Sequence, residues 1–483
     1  MTAPAPATRR LLRWFDDSLG ASNFARTTLN KIFPDHWSFM VGEIALYSFV
    51  ILVLTGTYLA FFFVPSLRDV TYQGHYAALR GVHMSEAYRS TLDITFKVRA
   101  GLVMRQMHHW AAVVFIGAIV VHVCRVFFTG AFRRPRQLNW MVGVTLLILA
   151  IVNGFAGYSL PDDLLSGTGL RIAYSISLSI PVFGVWAAFL FFGGKFPAGS
   201  IISRLFVIHI FVIPALIMAL LAAHLGIMWR QKHTQFPGPG RREDNVVGSP
   251  LWPNYAAKSV GLFFILSGVL AALGGLAQIN PIWLYGPFRP EQVSSASQPD
   301  WYMGWLEGAL RIMPHWETRA FGFELPNPFF PGVLLPGITF GLLFAWPFLE
   351  ERLSRDRAAH HLLDRPRDRP LRTAIGVGVL TFYLVLFAAG ADDVIATTVH
   401  LSVNALIWSF RVLVLVLPPM TGAIAYRLCQ ELARSGRSGH KGPVLIVREP
   451  GGGYEARPAP VRPGDRLLEL PPEPLPDRLG RKP

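Results

Sequence analysis

The chain has 483 residues, 52% of them hydrophobic and only 16% charged, and its 45 Lys and Arg against 30 Asp and Glu give a formal charge of +15. A soluble protein carries roughly 25% charged residues, so lipid rather than water must cover much of this surface, and the positive charge does not point to nucleic acid. Two cysteines, Cys124 and Cys429, are too few for a disulfide framework, an iron-sulfur cluster or a zinc site.

A helix crosses a hydrocarbon core with about 20 apolar residues. Runs of that kind lie near 39–65, 104–128, 139–160, 201–229, 256–279, 332–349, 373–390 and 395–426, which predicts an all-α, polytopic membrane protein with eight transmembrane helices. Residues 1–36 precede the first. Residues 37–235 hold helices one to four, and 236–435 hold the other four with a long loop at 280–331. Within 161–200 the stretch "SIPVFGVWAAFLFFGG" (179–194) is broken by Pro181 and is too short to span, so it is expected to lie in the outer interface. From 436 to 483 a Gly-, Pro- and Arg-rich tail cannot build a core and is expected to be disordered.

Basic residues cluster before helix one, at "RRPR" (133–136), at "WRQKH" (229–233) with Arg241 and Arg242, and across "ERLSRDRAAHHLLDRPRDRPLR" (351–372). All fall on one side if every helix crosses once. Lys/Arg enrichment marks that side, with both termini, as cytoplasmic. The first outer loop departs from this pattern with Arg68, Arg80, Arg89, Lys97 and Arg99, but it is long and carries acids too.

Helix two, "MRQMHHWAAVVFIGAIVVHVCR" (104–125), holds three histidines. At about 100° per residue, His108 and His122, 14 positions apart, share a face, whereas His109 looks elsewhere. Helix four repeats the device with His209 and His224, 15 positions apart. Both helices run in the same direction, so His108 should face His209 and His122 should face His224. Polar groups inside a bilayer are costly and usually functional, and two facing imidazole pairs suit two iron porphyrins ligated from both sides. No C-x-x-C-H occurs, so the haems would be noncovalent.

Gly42 and Gly56 in helix one and Gly143 and Gly157 in helix three repeat the 14-residue step, as would suit macrocycle edges packed against backbone; ordinary small-residue helix packing is the alternative. Arg105 and Arg125, three residues outside His108 and His122, could pair with propionates or snorkel to lipid phosphate. Two other functions fit the histidines alone. One is a dihaem anchor passing electrons between quinone and a separate dehydrogenase, or a transmembrane metal reductase. The other is a haem-free transporter whose histidines relay protons.

The segment "RQMHHWAAVVFIGAIVVHVCR", "GYSLPDD" (157–163), the His209/His224 pair, the spaced glycines and "PDWY" (299–302) together resemble cytochrome b of the quinol:cytochrome c reductases. "FPDHWSFMVGEIALYSF" (33–49), "GYSLPDDLLSGTGLR" and "AAHHLLDRPRDRP" are most similar to its actinobacterial branch, and the likeness runs from about 23 to about 435. The resemblance implies a low-potential haem b at His108 and His209 near the outer face and a higher-potential one at His122 and His224 near the cytoplasm. It also implies an outer quinol pocket framed by "GYSLPDD" and "PDWY", with Asp300 as proton acceptor where most relatives have Glu, and Tyr302 holding or relaying the proton. Further implied are menaquinol as substrate, a Rieske iron-sulfur subunit and a cytochrome c subunit as partners, a homodimer, and a supercomplex with a terminal oxidase in the cytoplasmic membrane. His36, Glu43, Arg230 and His233, near cytoplasmic helix ends, are the candidates for an inner quinone pocket, with headgroup contact the competing role.

Overall fold

The computed structural model describes residues 20–292, 298–320 and 322–438, the strand pair 444–448 and 454–458, and positions 11, 14 and 16–18. Eight of its helices are long and apolar enough to cross a membrane: Trp37–Ala60, Gly101–Phe128, Gln137–Tyr158, Ile201–Gln231, Leu251–Leu276, Phe330–Ser354, Pro370–Ala389 and Val403–Arg434. A helix apolar around its whole circumference has lipid or protein on every side. Leu54, Phe211, Phe264 and Leu415 accordingly stay exposed on the outer surface of the folded chain. The protein is an all-α, multi-pass membrane protein.

The last span starts later than the sequence suggests. Asp392–Val399 is a separate short helix, ended by His400 in the left-handed region at φ 56, where an L-residue cannot continue a right-handed helix. Between spans three and four the chain forms two helices, Leu164–Leu178 and Gly184–Phe192. The Asp163 carboxylate caps the first by accepting from Leu165 N at 3.1 Å and Ser166 N at 3.3 Å. Of the segment expected to be disordered from 436, Val444–Arg448 and Tyr454–Pro458 pair as antiparallel strands. Val444, Ile446 and Val447 are β-branched residues that favour extended backbone, and most of the remaining tail lies outside the described residues.

Spans one to four surround a core that includes Phe49, Phe115, Ile116, Ala150, Ile213 and Ile217. The loop after span five is pinned to span two. Fully buried Gln106 donates to Ile279 O at 2.9 Å and accepts from Ile279 N at 2.8 Å, and Trp110 Nε1 donates to Ala277 O at 2.7 Å. Further along, the helix Trp301–Ile312 lies against span seven so closely that a Cβ on Gly308 would sit 1.7 Å from the Leu386 carbonyl oxygen. Its first turn inserts Tyr302, 3% exposed, into the four-helix core.

The four basic connections meet at the opposite end. Lys31 donates to the Trp229 carbonyl. Arg136 reaches His360 O at 2.6 Å and Lys232 O at 3.0 Å, and Arg133 reaches Leu362 O at 3.1 Å. Arg372, 4% exposed, pairs with Glu350 and with Asp364 at 2.9 Å. Buried guanidinium groups are stable only when paired and hydrogen-bonded, so these contacts fix how the two halves sit together.

Candidate functional site

Four imidazoles converge in the bundle as two pairs. The His108 and His209 rings have centroids 6.1 Å apart at an interplanar angle of 76°; those of His122 and His224 are 6.5 Å apart at 72°. The unequal spacings, 14 in one helix and 15 in the other, are reconciled by a π turn at Ile208–Val212, in which Ile213 N donates to Ile208 O. Such a turn accommodates one extra residue, so 15 positions in span four subtend about the arc of 14 in span two. Pro214, which cannot donate a backbone hydrogen bond, follows directly.

Each predicted glycine faces one of these rings. A Cβ on Gly42 would lie 3.3 Å from the His122 ring, on Gly56 3.0 Å from His108 Cε1, on Gly143 3.6 Å from His224 Cε1 and on Gly157 2.3 Å from His209 Cε1. Side chains on Gly56 and Gly157 would push the imidazoles aside.

The outer pair is held in one tautomer. Thr55 Oγ1 donates to Ile51 O at 2.7 Å, so in its 2.9 Å contact with His108 Nδ1 the ring is the donor. His209 Nδ1 donates to Asn153 O at 2.9 Å. Both Nε2 lone pairs are thereby left for a metal, the usual way an outer partner sets a ligating histidine. In the inner pair neither His122 Nδ1 nor His224 Nδ1 has a hydrogen-bond partner among the described residues.

The residues fit an iron porphyrin at each level. Metal–imidazole bonds of about 2 Å on both faces put ring centroids roughly 6 Å apart, close to the observed spacing. Among the described residues no group of three or more His, Cys, Asp or Glu side chains could hold a bare ion. Among the described residues Arg105 has Nε and one Nη buried without a partner, its other Nη reaching Asn280 O at 3.4 Å. Among the same residues Arg125 likewise has Nε and one Nη unpartnered, its guanidinium lying 4.3 Å from the Phe39 ring centre. Buried cations with open donors at the two levels suit carboxylates such as propionates.

A cavity of about 500 Å³ joins the outer pair to the loop, and its lining includes Arg105, His108, His109, His209, Asp300 and Tyr302. The Asp300 carboxylate receives two hydrogen bonds: Tyr302 OH donates to Oδ2 at 3.1 Å and His109 Nε2 meets Oδ1 at 2.7 Å. Burial and the neighbouring Asp300 charge push the Tyr302 phenol well above its usual range. His109, off the ligand face by helix arithmetic, thus belongs to the loop side of the site, a role helix position alone does not show. Asn139 and Asn153 carry a spacing signal of their own. They are 14 positions apart and each is four before a site glycine, and each has a buried Oδ1 without a partner among the described residues.

The inner candidates are brought together only in part. Tyr255 OH and Ser259 Oγ donate to Glu43, the latter at 2.6 Å. Phe33 packs in tilted contact with both Tyr255, at 4.5 Å, and His233, at 4.3 Å. His233 has both ring nitrogens buried without a partner among the described residues. His36 packs instead on Phe236 at 4.6 Å, and Arg230 is exposed at its helix end.

Fold and site together define a helical membrane protein with two stacked imidazole pairs and a carboxylate-lined cavity at one end. The family model described as cytochrome b (N-terminal)/b6/petB matches residues 113–287. The cytochrome bc1 complex cytochrome b subunit of Mycobacterium tuberculosis is 52% identical, covering 94% of this chain and 84% of that one. Its namesake in Streptomyces coelicolor is 49% identical over 92% and 81%. A solved chain described as hyperthermophilic respiratory Complex III, 20% identical, shares the fold with a TM-score of 0.63 over 86% of this chain and 99% of that one. The chain belongs to the cytochrome b subunits of the cytochrome bc1 complex, the haem-containing membrane subunits of respiratory electron transport.

Proposed function

We propose that the chain is the dihaem subunit of a menaquinol:cytochrome c oxidoreductase in the cytoplasmic membrane, its basic connections and both termini facing the cytoplasm. The observation that carries this reading is the single cavity uniting the His108/His209 pair with Asp300 and Tyr302. Two b haems, held by His108 with His209 and by His122 with His224, would supply one-electron transfer from the outer to the inner level. Gly42, Gly56, Gly143 and Gly157 leave room for the ligand rings and macrocycle edges, and Arg105 and Arg125 offer donors to propionates.

At the outer cavity Asp300 accepts a quinol proton. Its carboxylate, held by two donors, keeps lone pairs for a hydroxyl within hydrogen-bond reach. Tyr302, kept protonated by its buried surroundings, orients that carboxylate. One electron leaves to a Rieske iron-sulfur partner and onward to a cytochrome c subunit; the other crosses to a quinone near the cytoplasmic face, where Glu43 and His233 are the best-placed polar groups. Protons leave outside while charge moves inward. A homodimer, and a supercomplex with a terminal oxidase, belong to the same reading.

The test is a purified complex with haem counted by pyridine haemochrome and menaquinol oxidation measured alongside. Asp300→Asn should abolish quinol oxidation while two b haems per chain remain. Unimpaired oxidation would instead favour a dihaem anchor, and absence of haem would favour a transporter.

A further inference from the structure

Resting on the reading of Asp300 as proton acceptor, we propose that His109 is the positioning residue that keeps this carboxylate turned into the cavity. Asp300 is the residue before the helix Trp301–Ile312, with φ −51 and ψ 142, the extended backbone of an N-cap, yet its side chain makes no capping bond. An Asp there ordinarily accepts from the first-turn amides, and the positive end of the helix dipole favours the negative group in that place. The carboxylate therefore has a competing resting place on its own helix. What holds it away is the His109 Nε2 contact at 2.7 Å and the Tyr302 hydroxyl at 3.1 Å. Tyr302 belongs to the helix being capped and moves with it. His109 does not: it projects from span two, 191 residues away in sequence.

Span two is also a rigid anchor for the loop. Gln106 and Trp110, which flank His109 in sequence, bond the backbone of Ile279 and Ala277, fixing the distance across which the imidazole reaches. The His109 and Asp300 side chains are 14% and 15% exposed, so water competes little for the bond. His109 follows His108 directly, so the group that orients the proton acceptor and one proposed haem ligand leave the same helical turn about 100° apart.

The variants are made in the intact complex. His109→Leu should lower kcat for menaquinol oxidation about tenfold, the scale of one charge-assisted hydrogen bond, with KM and both haem spectra unchanged. His109→Gln, which keeps an N–H at similar reach, should restore most of the rate. In an Asp300→Glu background, where the longer side chain caps its own helix less well, His109→Leu should cost little further. Equal kcat in His109→Leu and His109→Gln, or the same loss on the Glu background, overturns the proposal. Should His109→Leu lose haem, His109→Gln against His109→Asn decides, since these differ by one methylene of reach: a slower Asn variant supports positioning and equal rates overturn it. The underlying reading fails separately, through an Asp300→Asn complex that oxidises quinol at the wild-type rate. Wild-type kcat in His109→Leu beside an inactive Asp300→Asn removes His109 alone.

Discussion

The two imidazole pairs share one sequence rule and differ in what surrounds them. At the outer level both rings donate through Nδ1, to Thr55 Oγ1 and to Asn153 O, and a cavity opens beside them. At the inner level both Nδ1 atoms lack partners among the described residues. The glycines follow suit, with Gly157 allowing 2.3 Å to its ring where Gly143 leaves 3.6 Å. Identical histidine pairs therefore sit in a tight, oriented outer setting and a looser inner one. Partners at Nδ1 raise the basicity of a ligating imidazole, so under the proposed ligation the surroundings, and not the residue type, would set the two levels apart.

The strongest way to break this comparison is to remove ligands. His209→Leu should halve the haem content and abolish quinol oxidation, whereas His224→Leu should halve it while leaving the outer haem's spectrum intact; pyridine haemochrome and redox titration read both. Next in size, Gly157→Ala should displace His209 and cost the outer haem, because its Cβ would lie 2.3 Å from Cε1. Gly143→Ala, at ordinary contact distance, should keep both haems. Tyr302→Phe removes one of two donors to Asp300 and should slow menaquinol turnover about tenfold with haem content unchanged. Thr55→Val strips the oriented ring of its partner and should weaken outer haem retention by about tenfold, seen as haem loss on dilution, with the inner haem unaffected.

The smallest effect concerns pH and has opposite signs at the two ends. Burial, with the neighbouring Asp163, raises the Asp162 carboxyl from 3.8 to about 7 against an opposing bond from Ser85. The folded chain then binds more protons than the unfolded one in that window, so this contribution to stability is present below 3.8 and is lost as pH rises toward 7. Burial, with Lys31 and Arg136 nearby, lowers His233 from 6.5 to about 4, so its contribution is present above 6.5 and lost as pH falls toward 4. Thermal melts should show Asp162→Asn flattening the first slope and His233→Gln the second.

Most of this site could be read from residue spacing because helices convert sequence distance into direction. The 14-residue step placed His108, His122 and the four glycines, and each glycine does face a ring. The same arithmetic erred slightly in span four, since no count of residues discloses the π turn that absorbs the fifteenth position. It also set His109 aside, because direction off a helix says nothing about a loop that returns 191 residues later. Thr55 escaped notice for a related reason: its role depends on where its own proton goes, which only the Ile51 carbonyl decides. The late start of the final span turned on one left-handed residue, His400, that an apolar run cannot reveal. A position at a helix end makes Arg230 a candidate, yet its side chain is exposed.

The clasp among the basic connections bears on how much the chain's continuity matters. Arg134 with Glu351 at 2.8 Å, Arg136 with the His360 carbonyl, and Trp140 Nε1 with Leu343 O at 2.6 Å all bridge residues on opposite sides of the "PGPG" stretch at 237–240. Noncovalent stitching across that point is dense enough that a cut there, or expression as two polypeptides, should still yield one assembled pair of fragments. On that expectation the mating of the halves is written in side chains on both sides of the stretch rather than in the peptide link between them.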